Sequence, residues 1–225
     1  GACFADVDND GDLDLFVANF GQSNNLYLND GKGIFTNATQ AAGLTSTKGG
    51  FGCTFGDVDG DGDLDCIVAY DSTEDNDGEI SAGVQYWENG CDDRYCDMSS
   101  SDFTQLGSDS GLTLMSWSSN NEFFGTAFNA SIRYPKPFCI DMDEDGDLDC
   151  LIGDMDGKVH YLRNDGGTSV PSWTYITGDY FESDVGSFAS VYCGFGAEFA
   201  VDDDAIEIQC LVGNQAGLVQ RFVTV

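Results

Sequence analysis

Aspartate recurs at alternate positions in three short segments of the sequence, residues 6–14, 57–65 and 141–149. Each segment has the pattern D-x-D-x-D-G-D-x-D. Carboxylates at positions 1, 3 and 5 converge on one point when the chain curls around a hard cation, and the glycine at position 6 permits the sharp turn. The position-7 carbonyl and the position-9 carboxylate complete five or six oxygens plus water, which favours calcium over the geometrically stricter magnesium. The sequence therefore predicts three calcium loops.

Two other structures share part of this pattern. Acidic β-turns without an ion are disfavoured, because five clustered carboxylates with no nearby cation repel one another and destabilise the fold. The EF-hand loop begins in the same way but requires Glu at position 12 and flanking helices. Position 12 is Val17, Val68 or Ile152 here, and each lies in a predicted strand. The segments are therefore predicted to join two β-strands.

The aspartate segments belong to longer repeats. Each is followed by a short apolar strand such as Leu15–Ala18, then by an alternating strand such as residues 159–163, and then by an Asn-x-Gly or similar turn. A fourth copy, residues 201–205, is shortened and lacks the glycine, so no ion is predicted there. Repeated antiparallel strands without a convincing helix predict an all-β, propeller-like array of about four blades. One propeller domain over residues 1–225 is expected, with blades at roughly 1–49, 50–133, 134–190 and 191–225.

The repeats resemble the FG-GAP or VCBS repeats of integrin-α-type propellers and of many secreted proteins, over nearly the whole chain. Members commonly have more than four blades, which leaves open whether the array is part of a larger propeller. The resemblance implies three Ca²⁺ sites, with the seventh residue of each loop binding through its carbonyl. The implied ligands are Asp6, Asp8, Asp10, Asp12, Asp14, Asp57, Asp59, Asp61, Asp63, Asp65, Asp141, Asp143, Asp145, Asp147 and Asp149.

The overall charge limits the partners. The 225 residues include 40 Asp and Glu against 8 Lys and Arg, which gives a net charge of −32. Eight scattered cations cannot form the basic face that phosphate backbones require, so nucleic acid is excluded and anionic membrane surfaces are disfavoured. No apolar run approaches the roughly 18 residues of a membrane helix, so no membrane insertion is expected.

The cysteine content indicates an oxidising compartment. The chain has nine cysteines and no C-x-x-C pair of the zinc or thioredoxin type, which favours a secreted, extracellular or lumenal glycoprotein. Two N-x-S/T sequons, at Asn37 and Asn129, agree with secretion.

Several cysteines flank the aspartate segments. A hairpin closed by a nine-residue loop brings flanking residues to a Cα separation of about 4.5–5.5 Å, which permits a disulfide. The candidate pairs that flank a loop are Cys53 with Cys66 and Cys139 with Cys150. Cys91 with Cys96 is a candidate clip across an insertion, Cys193 with Cys210 is a candidate pair in the fourth repeat, and Cys3 is left over. The alternatives that several are buried free thiols, and that Cys3 pairs with a segment missing from this sequence or with another chain, remain open.

Catalytic signals are weak. His160, the one histidine, lies on an alternating strand and is interpreted as a surface or packing residue. The clustered aspartates are assigned to calcium, which leaves no carboxylate pair for glycoside hydrolysis. Trp87 and Trp173 are interpreted as packing between blades, whereas Trp117 lies in a polar insertion and is a candidate surface residue. We therefore expect no enzyme.

Two non-enzymatic functions remain. The chain is expected to be a calcium-stabilised structural or scaffolding subunit of a larger assembly, joined to other protein chains through an open fourth blade. The alternative is a recognition module for glycans or proteins, as in lectins and adhesion proteins. An accessory domain of a carbohydrate-active enzyme is the least favoured class.

Overall fold

The computed structural model describes residues 1–42, 44, 50–60, 62–71, 82–87, 89, 114–115, 132–166, 171–182, 185–196 and 207–223. These ranges contain only strands, turns and irregular segments, with no helix. The strands of the first two sheets are β1 (Ala2–Ala5), β2 (Asp14–Val17), β3 (Asn25–Asn29), β4 (Phe35–Asn37), β5 (Gly50–Gly56), β6 (Asp65–Asp71), β7 (Ala82–Trp87) and β8 (Leu114–Met115). The others are β9 (Lys136–Ile140), β10 (Asp149–Gly153), β11 (Val159–Asn164), β12 (Trp173–Thr177), β13 (Ser190–Gly196), β14 (Glu207–Gly213) and β15 (Val219–Val223).

The strands form four antiparallel sheets, each a simple meander in chain order. We call them blade 1 (β1–β4), blade 2 (β5–β8), blade 3 (β9–β12) and blade 4 (β13–β15). The all-β prediction with about four antiparallel blades is confirmed, and the sheets do not close into a ring. The three aspartate segments join the first and second strands of blades 1, 2 and 3, and we call them loop 1 (6–14), loop 2 (57–65) and loop 3 (141–149).

Apolar side chains on both faces of the blades pack the sheets against one another. Phe16 of blade 1 belongs to the same buried cluster as Val68 and Trp87 of blade 2, and Leu151 of blade 3 belongs to another with Val212 of blade 4. All five residues of β10 are buried, which explains why this strand is an uninterrupted apolar run after its first residue. The core therefore lies between blades.

The first strands of successive blades are neighbours: β1 lies beside β5, β5 beside β9, and β9 beside β13. Each aspartate loop follows the first strand of its blade. The three loops therefore lie at one end of the array, and the turns between the second and third strands lie at the other end.

Two of the predicted disulfides are confirmed. Cys139 and Cys150 lie directly opposite each other on β9 and β10, with a Cα separation of 4.2 Å. Cys193 and Cys210 occupy the same relation on β13 and β14, at 4.0 Å. Both bonds therefore staple the first two strands of a blade, and they fit an oxidising environment.

The predicted pairing of Cys53 with Cys66 is wrong, and so is the expectation that Cys3 is left over. In the register of β5 and β6, Cys53 lies opposite Val68 and Cys66 lies opposite Phe55, so the two thiols do not face each other. Cys53 is instead bonded to Cys3 on β1, with a Cα separation of 6.0 Å. This bond joins blade 1 to blade 2, and Cys66 is a buried free cysteine.

Some predictions concern residues outside the described ranges. These are the ligand Asp61, the pair Cys91 and Cys96, the sequon at Asn129 and the degenerate fourth segment at 201–205. Asn37, the other sequon residue, is exposed at the end of β4. The described part of the chain contains no helix long and apolar enough to cross a membrane.

Candidate metal centres

The first aspartate of each loop shapes the turn. The Asp6 carboxylate accepts hydrogen bonds from the backbone N–H groups of Asp10 (3.0 Å) and Gly11 (2.9 Å). Asp141 accepts the corresponding bonds from Asp145 (3.2 Å) and Gly146 (3.0 Å). These bonds fold the backbone back over its own first residue, so that the alternating carboxylates point toward a common centre.

Two positions of each loop require left-handed backbone. The glycines at position 6 have φ angles of 95°, 101° and 99° in loops 1, 2 and 3, which explains their presence in all three segments. Position 4 is also left-handed, and its occupants are Asn9 (φ 56°), Gly60 (φ 73°) and Glu144 (φ 60°). Asparagine and glycine suit this conformation, whereas glutamate does not. Position 4 is therefore strained in loop 3, whereas the residues at position 4 of loops 1 and 2 suit its backbone conformation.

The ninth aspartate of each loop ties the loop to the rest of its blade. Asp14, Asp65 and Asp149 are at most 1% exposed. Each accepts a hydrogen bond from the N–H of the second loop residue, at 2.9–3.0 Å. Each also accepts one from the N–H of an asparagine at or just after the end of the third strand, at 2.7–2.9 Å; these asparagines are Asn29, Asn89 and Asn164.

Tyrosines add a further bond to two of these carboxylates. The hydroxyl of Tyr86 donates to Asp65 and that of Tyr161 to Asp149, both at 3.0 Å. The repeat pattern predicts a calcium ligand at position 9 but does not predict these hydrogen-bond partners. A signal was present, because the asparagine recurs at the turn after the third strand in each of the three repeats.

Burial and mutual repulsion raise the pKa of several loop carboxylates. The pKa of Asp8 is raised to about 7, first by burial and then by the negative charges of Asp14 and Asp10. Burial likewise raises the pKa of Asp65 to about 7 and that of Asp149 to about 6, although their hydrogen bonds act in the opposite direction. A divalent cation among these groups would favour their ionised form.

Three clusters of carboxylates have the donor set of a hard-cation site. In each, one oxygen from every member lies within 4.8 Å of the others, and the members are Asp6, Asp8 and Asp10; Asp57, Asp59 and Asp65; and Asp141, Asp143 and Asp149. The Oδ1 atom of Asp57 is buried and has no hydrogen-bond partner in the described part of the chain. All-oxygen, multiply charged donor sets suit calcium. The residues therefore fit the predicted ion.

Other predicted ligands lie outside these clusters. Asp12, Asp14, Asp63, Asp145 and Asp147 are not cluster members, and Asp145 accepts a hydrogen bond from the N–H of Asp147 at 3.0 Å. Asp63 is 7% exposed, and its carboxylate accepts a bond from the side chain of Asn9 in the neighbouring loop. Binding through the carbonyl of the seventh residue remains a prediction.

His160 is buried inside blade 3. Its Nε2 lies 2.9 Å from Asp154 Oδ2, and its Nδ1 lies 3.1 Å from the hydroxyl of Tyr175. The pKa of Asp154 is lowered, because hydrogen bonds from His160 and from the N–H of Lys158 outweigh the opposite effect of burial. The histidine is thus part of a closed polar network, and of the two sequence interpretations packing is the one observed.

Aromatic residues occupy two settings. Trp87 and Trp173 lie in the clusters between blades, as predicted, and Trp117 is outside the described ranges. A separate row of rings crosses all four blades at the end opposite the aspartate loops, with centroid distances of 5.1, 4.6 and 5.3 Å. The row consists of Phe20, Phe51, Tyr134 and Phe188.

Comparison with known proteins supports the repeat assignment. Residues 6–68 match the family model of the FG-GAP-like repeat, a range that runs from loop 1 through β2–β4, β5 and loop 2 to the start of β6. The inferred resemblance to FG-GAP repeat proteins is therefore confirmed for this segment. Comparison with curated proteins gives no match.

Solved structures with similarity to this chain include one that is similar over the chain's whole length. It is the structure of a lectin of Agrocybe aegerita, described as showing how that lectin specifically recognises non-reducing terminal N-acetylglucosamine. The similarity has a TM-score of 0.49 and 16% sequence identity, and it covers 100% of this chain and 52% of the lectin chain. The chain thus spans about half the length of that structure.

Proposed function

We propose that this chain is a non-enzymatic, calcium-stabilised module of FG-GAP type that serves as a structural subunit of a larger assembly in an oxidising extracellular or lumenal compartment. The three aspartate clusters support the calcium component. The observation that carries the scaffold component is the apolar outer face of blade 4, which matches a face that blade 3 buries.

In calcium, loops 1 to 3 would each hold one ion, with the cluster carboxylates as ligands. The ion would supply the positive charge that offsets the repulsion among buried aspartates, and so it would favour the folded state. The chain's own residues contribute the positioning, through the loop N–H bonds to the first and ninth aspartates.

The Cys139–Cys150 and Cys193–Cys210 disulfides occupy equivalent positions in blades 3 and 4, so they can be used to match residues of one blade to residues of the other. Because each joins residues directly opposite on the first two strands, Tyr192 and Leu211 of blade 4 correspond to Phe138 and Leu151 of blade 3. Leu151 is fully buried against blade 4, whereas Leu211 is 47% exposed. Tyr192 is 66% exposed, although its ring also contacts Phe138 of blade 3 at a centroid distance of 5.0 Å. Blade 4 therefore presents to solvent the face with which blade 3 binds its neighbour.

Blade 1 presents the opposite kind of face. Phe4 lies two residues before its loop, as Phe55 does in blade 2, and Phe55 packs edge-on against Phe16 at a centroid distance of 6.1 Å. Phe4 itself is 58% exposed. The exposed faces of blades 1 and 4, which we call the end faces, thus correspond to the two sides of the interface that neighbouring blades form inside the chain. A further blade of the same construction is the partner that fits each end face.

Two experiments test the proposal. Calcium should raise the melting temperature and EDTA should lower it, because an ion bound only by the folded state stabilises it. An unchanged melting temperature would refute the calcium component. In calcium, light scattering should show self-association of the chain through its end faces, and Leu211→Glu should abolish it.

Ile176→Glu is the matched control, because Ile176 on β12 is 43% exposed but lies on no end face. A chain that remains monomeric, or association that is equally sensitive to both substitutions, would refute the scaffold component.

The row of rings supports a second candidate, recognition of glycans or proteins. Phe20 is 68% exposed at one end of the row, and Tyr134 and Phe188 have left-handed backbone, with φ angles of 52° and 61°. Bulky residues adopt this conformation at a cost, and such strain concentrates at functional sites. A glycan array would test this candidate: binding that Phe20→Ala abolishes would support it, and an array without signal would refute glycan recognition.

A further inference from the structure

Loops 1 and 2 are connected across the boundary between their blades by two side-chain hydrogen bonds. The Nδ2 atom of Asn9, at position 4 of loop 1, donates to Asp63 Oδ1 in loop 2 at 2.7 Å. The Nδ2 atom of Asn89 donates to the carbonyl of Val7 in loop 1 at 3.1 Å. These contacts bridge 54 and 82 residues of sequence.

Asn89 is held by loop 2 while it contacts loop 1. Its backbone N–H donates to Asp65 Oδ1 at 2.8 Å, and its side-chain amide also donates to the carbonyl of Leu64 at 3.4 Å. On the other side, the N–H of Val7 donates to Asp14 at 3.0 Å. The ninth aspartates of both loops are therefore linked through one asparagine and one loop residue.

Among the described residues, neither of these two connections has a counterpart between loop 2 and loop 3. Position 4 of loop 2 is Gly60, which has no side chain that could reach the next loop. Asn164 corresponds to Asn89, since its N–H donates to Asp149 at 2.7 Å. Its Oδ1 accepts bonds from Gly166 and Ser172 within its own blade, and its buried Nδ2 has no partner in the described residues.

We propose that calcium sites 1 and 2 form a thermodynamically coupled pair, positioned by Asn9 and Asn89, whereas site 3 binds calcium independently. This inference rests on the proposed calcium binding by the loops. An ion in loop 2 orders Asp59 and Asp65, and with them Asn89 and its contact to Val7. Part of the entropy cost of ordering loop 1 is then already met, so the next ion binds more tightly. By linkage, the effect must be the same in both directions.

Calorimetric calcium titration of the intact chain tests the coupling. The native chain should bind two ions cooperatively, the second about 5-fold more tightly than it would without the first, and a third ion independently. The double variant Asn9→Gly/Asn89→Ala should give three independent sites. Asn9→Gly keeps the left-handed backbone, as Gly60 does in loop 2.

Asn164→Ala is the matched control and should leave the cooperativity unchanged. Asp8→Ala and Asp59→Ala should each weaken the neighbouring site by the same factor and leave site 3 unaffected. Three independent sites in the native chain, or cooperativity that survives in the double variant, would overturn this inference while calcium binding stood. Absence of any binding would instead overturn the proposed function. If the double variant does not fold, loss of cooperativity in Asn9→Gly alone decides the question.

Discussion

Replacing Asp149 with alanine should destabilise the chain even when no calcium is present. The carboxylate is fully buried and accepts hydrogen bonds from the N–H groups of Met142 and Asn164 and from the hydroxyl of Tyr161. Leaving one buried donor unsatisfied costs about 1–3 kcal/mol, and three donors lose their acceptor here. Removal of a buried charge offsets part of this cost, so we expect the free energy of unfolding to fall by about 3 kcal/mol. In a chain of this length, that corresponds to a decrease of roughly 6–12 °C in melting temperature.

Asp143→Ala is the contrasting variant in the same loop. Its side chain is 35% exposed, and its pKa is raised by burial and by the neighbouring charge of Asp145. In EDTA we expect its stability to lie within about 0.5 kcal/mol of the native value, because substitutions at such positions have small effects. In calcium it should be clearly less stable, because one ligand is missing.

Thermal unfolding of both variants in calcium and in EDTA separates the two roles. If Asp149→Ala melted like the native chain in EDTA, the assignment of the ninth carboxylate to the architecture of the blade would be refuted. If Asp149→Ala fails to fold, Asp149→Asn retains one acceptor oxygen and should show an intermediate loss in the same assay.

Three further predictions concern other features. Glu144→Asn should raise the free energy of unfolding in EDTA by about 1 kcal/mol in urea titrations, because left-handed backbone suits asparagine better than glutamate. Peptide mapping after thiol alkylation should find Cys3 linked to Cys53 and Cys66 labelled only after unfolding, because burial also raises the pKa of the Cys66 thiol. Asp154→Asn should be most destabilising near neutral pH: a lowered carboxyl pKa stabilises the fold above the ordinary value of 3.8, and this stabilisation is lost as the pH falls through the lowered pKa.

Each of these has an outcome that contradicts it. Glu144→Gln keeps the strained backbone but removes the charge. An equal increase in the free energy of unfolding for this control would show that the effect is electrostatic and not due to backbone strain. Labelling of Cys66 in the native state would contradict its burial. For Asp154→Asn, urea unfolding should give a difference from the native chain that is constant well above pH 3.8 and shrinks as the pH falls below that value, and a difference that stays constant under acid conditions would contradict the linkage.

The features that sequence predicted well are those set by local spacing. The strict D-x-D-x-D-G-D-x-D pattern fixes which carboxylates can converge, and the structure clusters Asp6, Asp8 and Asp10 as expected. Residues two before and one after a loop lie opposite each other, which is the spacing of Cys139 and Cys150. Cys53 lies four residues before its loop, so the same count excludes Cys66 as its partner.

The features that sequence could not predict depend on contacts between blades. Nothing near Cys3 indicates that β1 will lie beside β5, and the pairing with Cys53 follows only from that arrangement. The contact of Asn89 with Val7 likewise joins parts of the chain that only the stacking of blades brings together. Hydrophobic periodicity identifies the strands, but it does not identify which side chains meet across two sheets.

The bond between Cys3 and Cys53 has a mechanical consequence. A pulling force applied at the N-terminus would pass through this bond directly into blade 2 and bypass the 50 residues of separation between the two cysteines. At about 3.4 Å per residue, that segment represents roughly 170 Å of contour length that cannot extend while the bond is intact. Chemical reduction would release this length, so the redox state of a single bond sets how far the first blade yields under tension.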